Sequence, residues 1–232
     1  MNLKATLKRH LQNSGWYVRK TAGLANGVDL FRDLRKFGIS PKCILDIGAH
    51  HGQTALEYAG EFPSARIFAF EPVSSNFCKL AKAVSKNPKI SPVRGAVGDQ
   101  PGKLNIRLNP ENSQAHSFIW APGDKTECVD LTTIDDFCAE RKFCPDFIKI
   151  DAEGFDLKVI AGAKQMLANP TLKAVVVEAT LNPDNEHCVQ LLDLVAALKP
   201  ASFRLAGIYG QCLWEVTGQL EFFNALFIRR AV

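Results

Sequence analysis

The chain has 232 residues, of which 47% are hydrophobic and 22% are charged. This length and composition fit a single folded domain with a short extra segment, and they exclude a largely disordered chain. The net charge of +4 comes without a dense block of Lys and Arg or interleaved aromatic residues, so nucleic acid is not expected as a partner.

The cysteines and the apolar runs indicate the compartment. None of the seven cysteines forms a C-x-x-C pair of the zinc or redox type, which favours reduced thiols in a cytoplasmic protein. The N-terminal residues lack the apolar core of a signal peptide, and no apolar run is long enough to span a bilayer. We therefore expect a cytoplasmic protein without a transmembrane segment.

Residues 1–40 differ in charge from the rest of the chain. Eight Lys and Arg stand against two acids, and Leu3, Leu7 and Leu11 recur at helical spacing. We predict a basic, helical N-terminal segment at 1–40 and a cofactor-binding domain at 41–232. The helix either caps the main domain or presents a basic surface to an anionic partner, such as a membrane surface or a substrate carrier.

From Pro41 onward, short apolar strands alternate with helical stretches. The patterns predict strands at 43–49, 66–72, within 92–97, 103–109, 146–154 and 174–180, and helices at 53–60 and 74–85. Residues 127–141 are predicted to form a strand and then a helix that Thr132 or Thr133 caps. Three further strands are expected at 203–210, 212–216 and 222–228. This order predicts a mostly parallel sheet covered on both faces, with an antiparallel hairpin at one edge.

The first strand runs into the turn DIGAHHGQT at 46–54, where Gly48 and Gly52 let the backbone approach a ligand closely. The spacing is G-x-x-x-G, whereas a dinucleotide site typically has G-x-G-x-x-G to hold its pyrophosphate on a helix N-terminus. S-adenosylmethionine has no phosphate, and its positive charge tolerates an acid such as Asp46. The turn therefore favours that cofactor, with a plain strand–helix turn as the alternative.

Acids also follow the next two strands. Glu71 and Pro72 come roughly 20 residues after the glycine turn, where a carboxylate accepts hydrogen bonds from ribose hydroxyls. Asp99 follows the third strand, where it would hold an adenine amino group or serve only as a turn residue. Together with Asp46, these acids favour a ligand that contains adenosine.

The chain resembles the FkbM family of methyltransferases from about Cys43 to Arg229. The similarity lies in ILDIGAHHGQT (44–54), FAFEP (68–72), GAVGDQPG (95–102), VDLTTIDDF (129–137), FIKIDAEGFDLKVIAGAKQML (147–167) and VVVEAT (175–180). The resemblance implies a Rossmann-like class I methyltransferase fold with a seven-stranded sheet. It also implies S-adenosylmethionine-dependent methylation of hydroxyls on sugars, glycans or natural products.

We expect the cofactor to be held by Asp46, Gly48, His50, Gly52, Gln53, Thr54, Glu71, Pro72 and Asp99. His50 departs from the family, which commonly has Asn at this position. A neutral imidazole still offers a hydrogen bond to the methionine end of the cofactor.

The catalytic candidates are Asp151, Glu153 and His116. On an extended strand Lys149, Asp151 and Glu153 share one face, so the two acids would act as a base, as substrate anchors or as part of a magnesium site. A structural ion pair between Lys149 and one acid is the alternative. The resemblance places His116, in the loop 111–117, over the substrate as the rival base.

The sequence patterns leave several functions and residue roles open. The rival functions are a nicotinamide-dependent oxidoreductase, a binding module without turnover, and a methyltransferase for nitrogen or carbon acceptors. Trp120 and Trp214 would line an acceptor pocket or belong to the core. His187 is predicted to open a surface helix and receives no role. The last strands offer edges that would pair in a homodimer.

Overall fold

A computed structural model of the chain describes residue 14 and residues 24–108, 125–185, 187–214 and 216–230. The strands are β1 Cys43–Ile47, β2 Arg66–Glu71, β3 Ile90–Arg94, β4 Ala96–Val97, β5 Gly102–Arg107, β6 Thr126–Thr132, β7 Phe147–Ile150, β8 Ala174–Thr180, β9 Val189–Gln190, β10 Phe203–Leu213 and β11 Leu220–Arg229. The helices are α1 Leu30–Lys36, α2 Gln53–Glu61, α3 Ser74–Val84, α4 Ile134–Arg141, α5 Asp156–Ala161, α6 Lys164–Ala168 and α7 Leu191–Leu198.

The main sheet has the strand order β10-β11-β8-β7-β1-β2-β3, and the two-residue strand β9 pairs with β8. Strands β3, β2, β1, β7 and β8 are parallel, whereas β11 is antiparallel to both β8 and β10. This arrangement confirms the predicted Rossmann-like sheet and its antiparallel edge hairpin. The chain leaves β1 toward β2 on one side and returns to β7 on the other, which is where open α/β sheets bind ligands.

The central strands are buried on both faces, as parallel strands covered by helices must be. On one face Leu45 and Ile47 of β1 pack with Ile148 of β7. On the other face Ile44 packs with Phe147 in a second apolar cluster. This two-sided burial explains why the strands read as nearly continuous apolar runs, interrupted by Asp46 and Lys149 alone among the residues of β1 and β7.

A separate three-stranded sheet has the order β4-β6-β5. The strand predicted within 92–97 is divided, because β3 pairs with β2 of the main sheet and β4 pairs with β6 of the small one. The predicted strand at 103–109 is β5, which pairs antiparallel with β6. The helix after β6 begins where predicted, since the Thr133 side chain accepts a hydrogen bond from Asp136 N at 2.9 Å.

Two predicted strand boundaries are wrong. The strand predicted at 146–154 ends at Ile150, and the chain then turns, with Glu153 in the left-handed region at φ 49°. The strand predicted at 212–216 is not separate from the one predicted at 203–210, because β10 continues through register shifts to Leu213, and Trp214 lies outside the strand. Both errors concern residues that lie beside the candidate site.

Helix α1 is packed on the domain rather than held apart from it. Leu34 lies in the second apolar cluster, and buried Asp33 accepts hydrogen bonds from Tyr209 OH at 2.8 Å and Gly27 N at 2.9 Å. Leu3, Leu7 and Leu11 lie outside the described residues. Within the part of the chain that the structure describes, no helix is long and apolar enough to cross a membrane.

Candidate active site

The glycine turn after β1 is pressed against the end of β7. Gly48 has φ 79°, and a Cβ atom on it would lie 1.8 Å from the carbonyl oxygen of Asp151. Gly52 has φ 90°, and a Cβ atom there would lie 2.8 Å from a Leu80 side-chain carbon. Gly48 therefore has to be glycine for the ends of β1 and β7 to come together, whereas glycine is favoured at Gly52 by its positive φ.

The buried Lys149 side chain contacts residues at both of these strand ends. Its Nζ donates hydrogen bonds to Asp151 Oδ2 at 2.9 Å and to Gly48 O at 3.3 Å, and lies 3.7 Å from Asp46 Oδ1. Burial by itself would lower the pKa of Lys149, but the nearby Asp151 and Asp46 carboxylates outweigh burial and raise that pKa. The ion pair considered as a structural alternative for Lys149 is thus present, and it orients Asp151.

Asp46 is completely buried beside this lysine. Burial raises the pKa of the Asp46 carboxyl, an effect that the charge of Lys149 reduces. Among the described residues, neither oxygen of Asp46 has a hydrogen-bond donor within reach. Asp46 consequently depends on Lys149 for its stabilisation, and it lies beneath the site rather than in its wall.

A cavity of about 790 Å³ opens at the carboxyl ends of β1, β2, β7 and β8, between the main sheet and the small sheet. Six of the predicted residues line it, namely Gly48, His50, Glu71, Pro72, Asp151 and Glu153. Five others do not: Asp46 lies beneath, Gly52, Gln53 and Thr54 open helix α2, and Asp99 lies in an exposed bend. His116 and Trp120 lie outside the described residues.

Glu71 lies at the end of β2 and is almost fully buried. One of its oxygens accepts a hydrogen bond from Val73 N at 3.0 Å. Burial raises the pKa of Glu71 to about 7, although hydrogen bonds from the backbone N–H groups of Val73 and His50 counteract this rise. The position is the one predicted for contact with ribose hydroxyls.

His50 lies opposite Glu71 in the left-handed backbone region, at φ 48°. Its ring stacks on that of His51 with centroids 3.5 Å apart, and His51 Nε2 lies 3.2 Å from Asn76 Oδ1. The stacking and the hydrogen bond fix the second half of the glycine turn at the cavity wall.

Acids are concentrated where β7 and β8 end. Burial, with the nearby Asp151 and Glu178, raises the pKa of Glu153 to about 9. Burial and the charge of Asp151 raise the pKa of Glu178 to about 7. Buried Asp156 accepts hydrogen bonds from Ala152 N at 3.0 Å and Gly154 N at 3.2 Å, which fixes the turn that carries Glu153. A cation in this part of the cavity would favour the charged carboxylates.

The far wall of the cavity comes from the loop after β8 and from the β10–β11 hairpin, and includes Asn185, His187, Cys188, Trp214 and Glu221. The prediction that His187 opens a surface helix is wrong, because α7 begins only at Leu191 after the short strand β9. Trp214 is 51% exposed and lines the cavity, so it does not belong to the core.

Of this wall, the sequence patterns indicated only Trp214, as a residue of an acceptor pocket or of the core. The remaining signal was weak, since Glu178 lies inside the predicted strand 174–180 and contacts the wall through a hydrogen bond from Cys188 Sγ at 3.4 Å. Within the described ranges, no three or more His, Cys, Asp or Glu side chains are arranged to hold a metal ion.

Comparisons with known proteins agree with this fold. Residues 46–205 match the family model described as the Methyltransferase FkbM domain. Hexuronic acid methyltransferase AglP from Haloferax volcanii is 22% identical over 170 residues, which cover 72% of this chain and 68% of that protein. The crystal structure of methyltransferase FkbM from Methylobacillus flagellatus KT aligns with a TM-score of 0.55 and 18% identity. That alignment covers 82% of this chain but only 43% of the other, so this chain spans less than half of its length.

Proposed function

Because the chain belongs to the FkbM methyltransferase family, we propose that it transfers the methyl group of S-adenosylmethionine to a hydroxyl of a sugar, glycan or natural product. The observation that carries this proposal is the cavity that Gly48, His50, Glu71, Asp151 and Glu153 line together. Residues 41–232 would form the cofactor-binding domain, and residues 1–40 a basic segment whose described part, helix α1, packs on that domain.

The residues present fit this cofactor. Glu71 is a nearly buried carboxylate that lines the cavity, and its two oxygens together offer about four lone-pair sites. The N–H groups of Val73 and His50 and the Asn76 side chain use three of them, so one is left to accept a hydrogen bond from a ribose hydroxyl. The turn at Gly48 and His50 would hold the methionine end, with Pro72 shaping the wall beside Glu71. Gly52, Gln53, Thr54 and Asp99 are proposed to act at the margins of the site, and Asp46 through Lys149. When bound, the cofactor supplies a methyl group on a positively charged sulfur.

The acids at the end of β7 would prepare the acceptor. Lys149 holds Asp151 in one orientation, so the Asp151 carboxylate can accept a hydrogen bond from the acceptor hydroxyl and align its oxygen. Glu153 retains its proton at neutral pH, since its pKa is about 9. It becomes a base only when a neighbouring cation favours its charged form. His116 remains the rival base in this proposal.

Calorimetric titration of the purified protein with S-adenosylhomocysteine, with and without magnesium, tests the cofactor proposal. We expect micromolar binding in both conditions, and a tighter value with magnesium would mean that the acids recruit the ion. Thermal-shift measurements with NAD and NADP serve as the control, because a ligand that binds the native state raises the midpoint of thermal unfolding. Stabilisation by a nicotinamide cofactor without S-adenosylhomocysteine binding would contradict the proposal.

A further inference from the structure

The far wall of the cavity has the features of a carbohydrate subsite. Trp214 lies at the β10–β11 turn, half of its surface is exposed, and it lines both the main cavity and a second cavity of about 400 Å³ beside it. The two cavities share Asp184, Trp214 and Glu221. An exposed indole face in such a place suits the C–H face of a pyranose ring, which is apolar and slightly positive.

Polar groups around Trp214 are fixed in position. Glu221 accepts hydrogen bonds from Asn185 Nδ2 at 3.0 Å and from Asn182 Nδ2 at 3.3 Å, one on each carboxylate oxygen. Each oxygen therefore keeps a lone pair for a hydroxyl of a ligand. Asn185 Oδ1 also accepts a hydrogen bond from His187 N at 2.9 Å, which holds His187 at the cavity wall.

The charge of the cavity walls favours neutral or cationic sugars over anionic ones. The described residues that line the main cavity include six acids and neither Lys nor Arg. The acids are Glu71, Asp151, Glu153, Glu178, Asp184 and Glu221. The described lining of the second cavity also lacks Lys and Arg. Even with Glu153 protonated, a carboxylate on the acceptor would meet the negative charges of Asp151, Asp184 and Glu221, and no Lys or Arg among the described lining residues would pair with it.

On this geometry, and resting on the proposed function, we infer that the acceptor is a neutral or amino sugar whose ring stacks on Trp214, and that the site rejects uronic acids. The acceptor class thus differs from that named for the hexuronic acid methyltransferase of Haloferax volcanii. The second cavity provides room for the next ring of a glycan, so a disaccharide binds more tightly than its single reacting ring.

The test uses the full chain saturated with S-adenosylhomocysteine and titrated calorimetrically with three methyl glycosides. These are a methyl hexopyranoside, its 2-amino-2-deoxy analogue and the corresponding hexuronate. We expect the neutral or the amino glycoside to bind at least tenfold more tightly than the hexuronate. Equal or tighter binding of the hexuronate would overturn the inference, and so would a lack of binding by all three.

Variants test whether the Trp214 ring itself binds the sugar, or whether any substitution at this turn weakens binding. Trp214→Ala should weaken the preferred glycoside by tenfold or more, whereas Trp214→Phe should keep most of its affinity. Leu213→Ala is the matched control, because Leu213 is similarly exposed at 54% but is not among the lining residues. Glycoside affinity that is unaffected by Trp214→Ala would refute the claim that the sugar ring stacks on Trp214.

The affinity for S-adenosylhomocysteine tells the two proposals apart. We expect it to be unchanged in all three variants. Wild-type protein that binds S-adenosylhomocysteine but does not prefer the neutral or amino glycoside over the hexuronate rejects the inference alone. Wild-type protein that does not bind S-adenosylhomocysteine rejects the proposed function and the inference with it.

Discussion

Replacing Lys149 by Met tests whether this buried lysine organises the site. The substitution keeps the length of the side chain but leaves Asp46, which is completely buried and has no other donor within reach among the described residues, without its counter-charge. It also removes the 2.9 Å hydrogen bond to Asp151. Removing one partner of a buried ion pair typically costs about 3–5 kcal/mol. In a domain of this size, that loss corresponds to a thermal unfolding midpoint lowered by about 6–20 °C.

Urea denaturation followed by circular dichroism measures this loss. The control is Lys103→Met, since Lys103 forms a fully exposed pair with Asp130 at 2.8 Å and its removal should leave stability unchanged. The deficit of the Lys149 variant should shrink as the pH falls, because unpaired Asp46 then takes up a proton in the folded state. A buried unpaired charge should cost several times more than about 1 kcal/mol at neutral pH. A decrease in the free energy of unfolding below about 1 kcal/mol at that pH would therefore refute the reasoning.

Three further predictions concern the turn and the acids. Gly48→Ala should prevent stable folding, measured as loss of a cooperative thermal transition, because its Cβ would lie 1.8 Å from the Asp151 carbonyl oxygen and φ is positive. Glu71→Gln should weaken S-adenosylhomocysteine binding about tenfold or more at pH 8. Its effect should be smaller at pH 6, since the pKa of Glu71 is about 7; calorimetry at the two pH values decides this. Binding of cationic S-adenosylmethionine at pH 8 should release a proton from Glu153, whose pKa is about 9, and Glu153→Gln should abolish the release. Titrations in buffers of different ionisation enthalpy measure it, and identical proton release in wild type and variant would contradict the assignment.

The central half of the fold follows from local sequence patterns. Strand β1 with its glycine turn, strand β2 ending at Glu71, and the helix capped by Thr133 all carry signals within a few residues, and the structure confirms them. Burial on both faces makes such strands continuous apolar runs, which are easily recognised.

What could not be predicted depends on contacts between distant segments. Residues 90–97 form one extended stretch, and only their partners divide them between two sheets. Trp214 and His187 have no motif, and the β11–β8 pairing brings them to one cavity from separate parts of the chain. For Lys149 and Asp151 the spacing allowed both a catalytic face and an ion pair, and the backbone turn after Ile150 determines the geometry.

The most direct test of the central claim follows the methyl group itself. Wild-type protein is incubated with S-adenosylmethionine carrying a trideuterated methyl group and with the preferred glycoside, and the products are analysed by mass spectrometry and NMR. The account predicts S-adenosylhomocysteine together with an equal amount of glycoside bearing the labelled methyl group on a hydroxyl oxygen. Cofactor that is bound but never consumed, or label found on nitrogen or carbon, would contradict it.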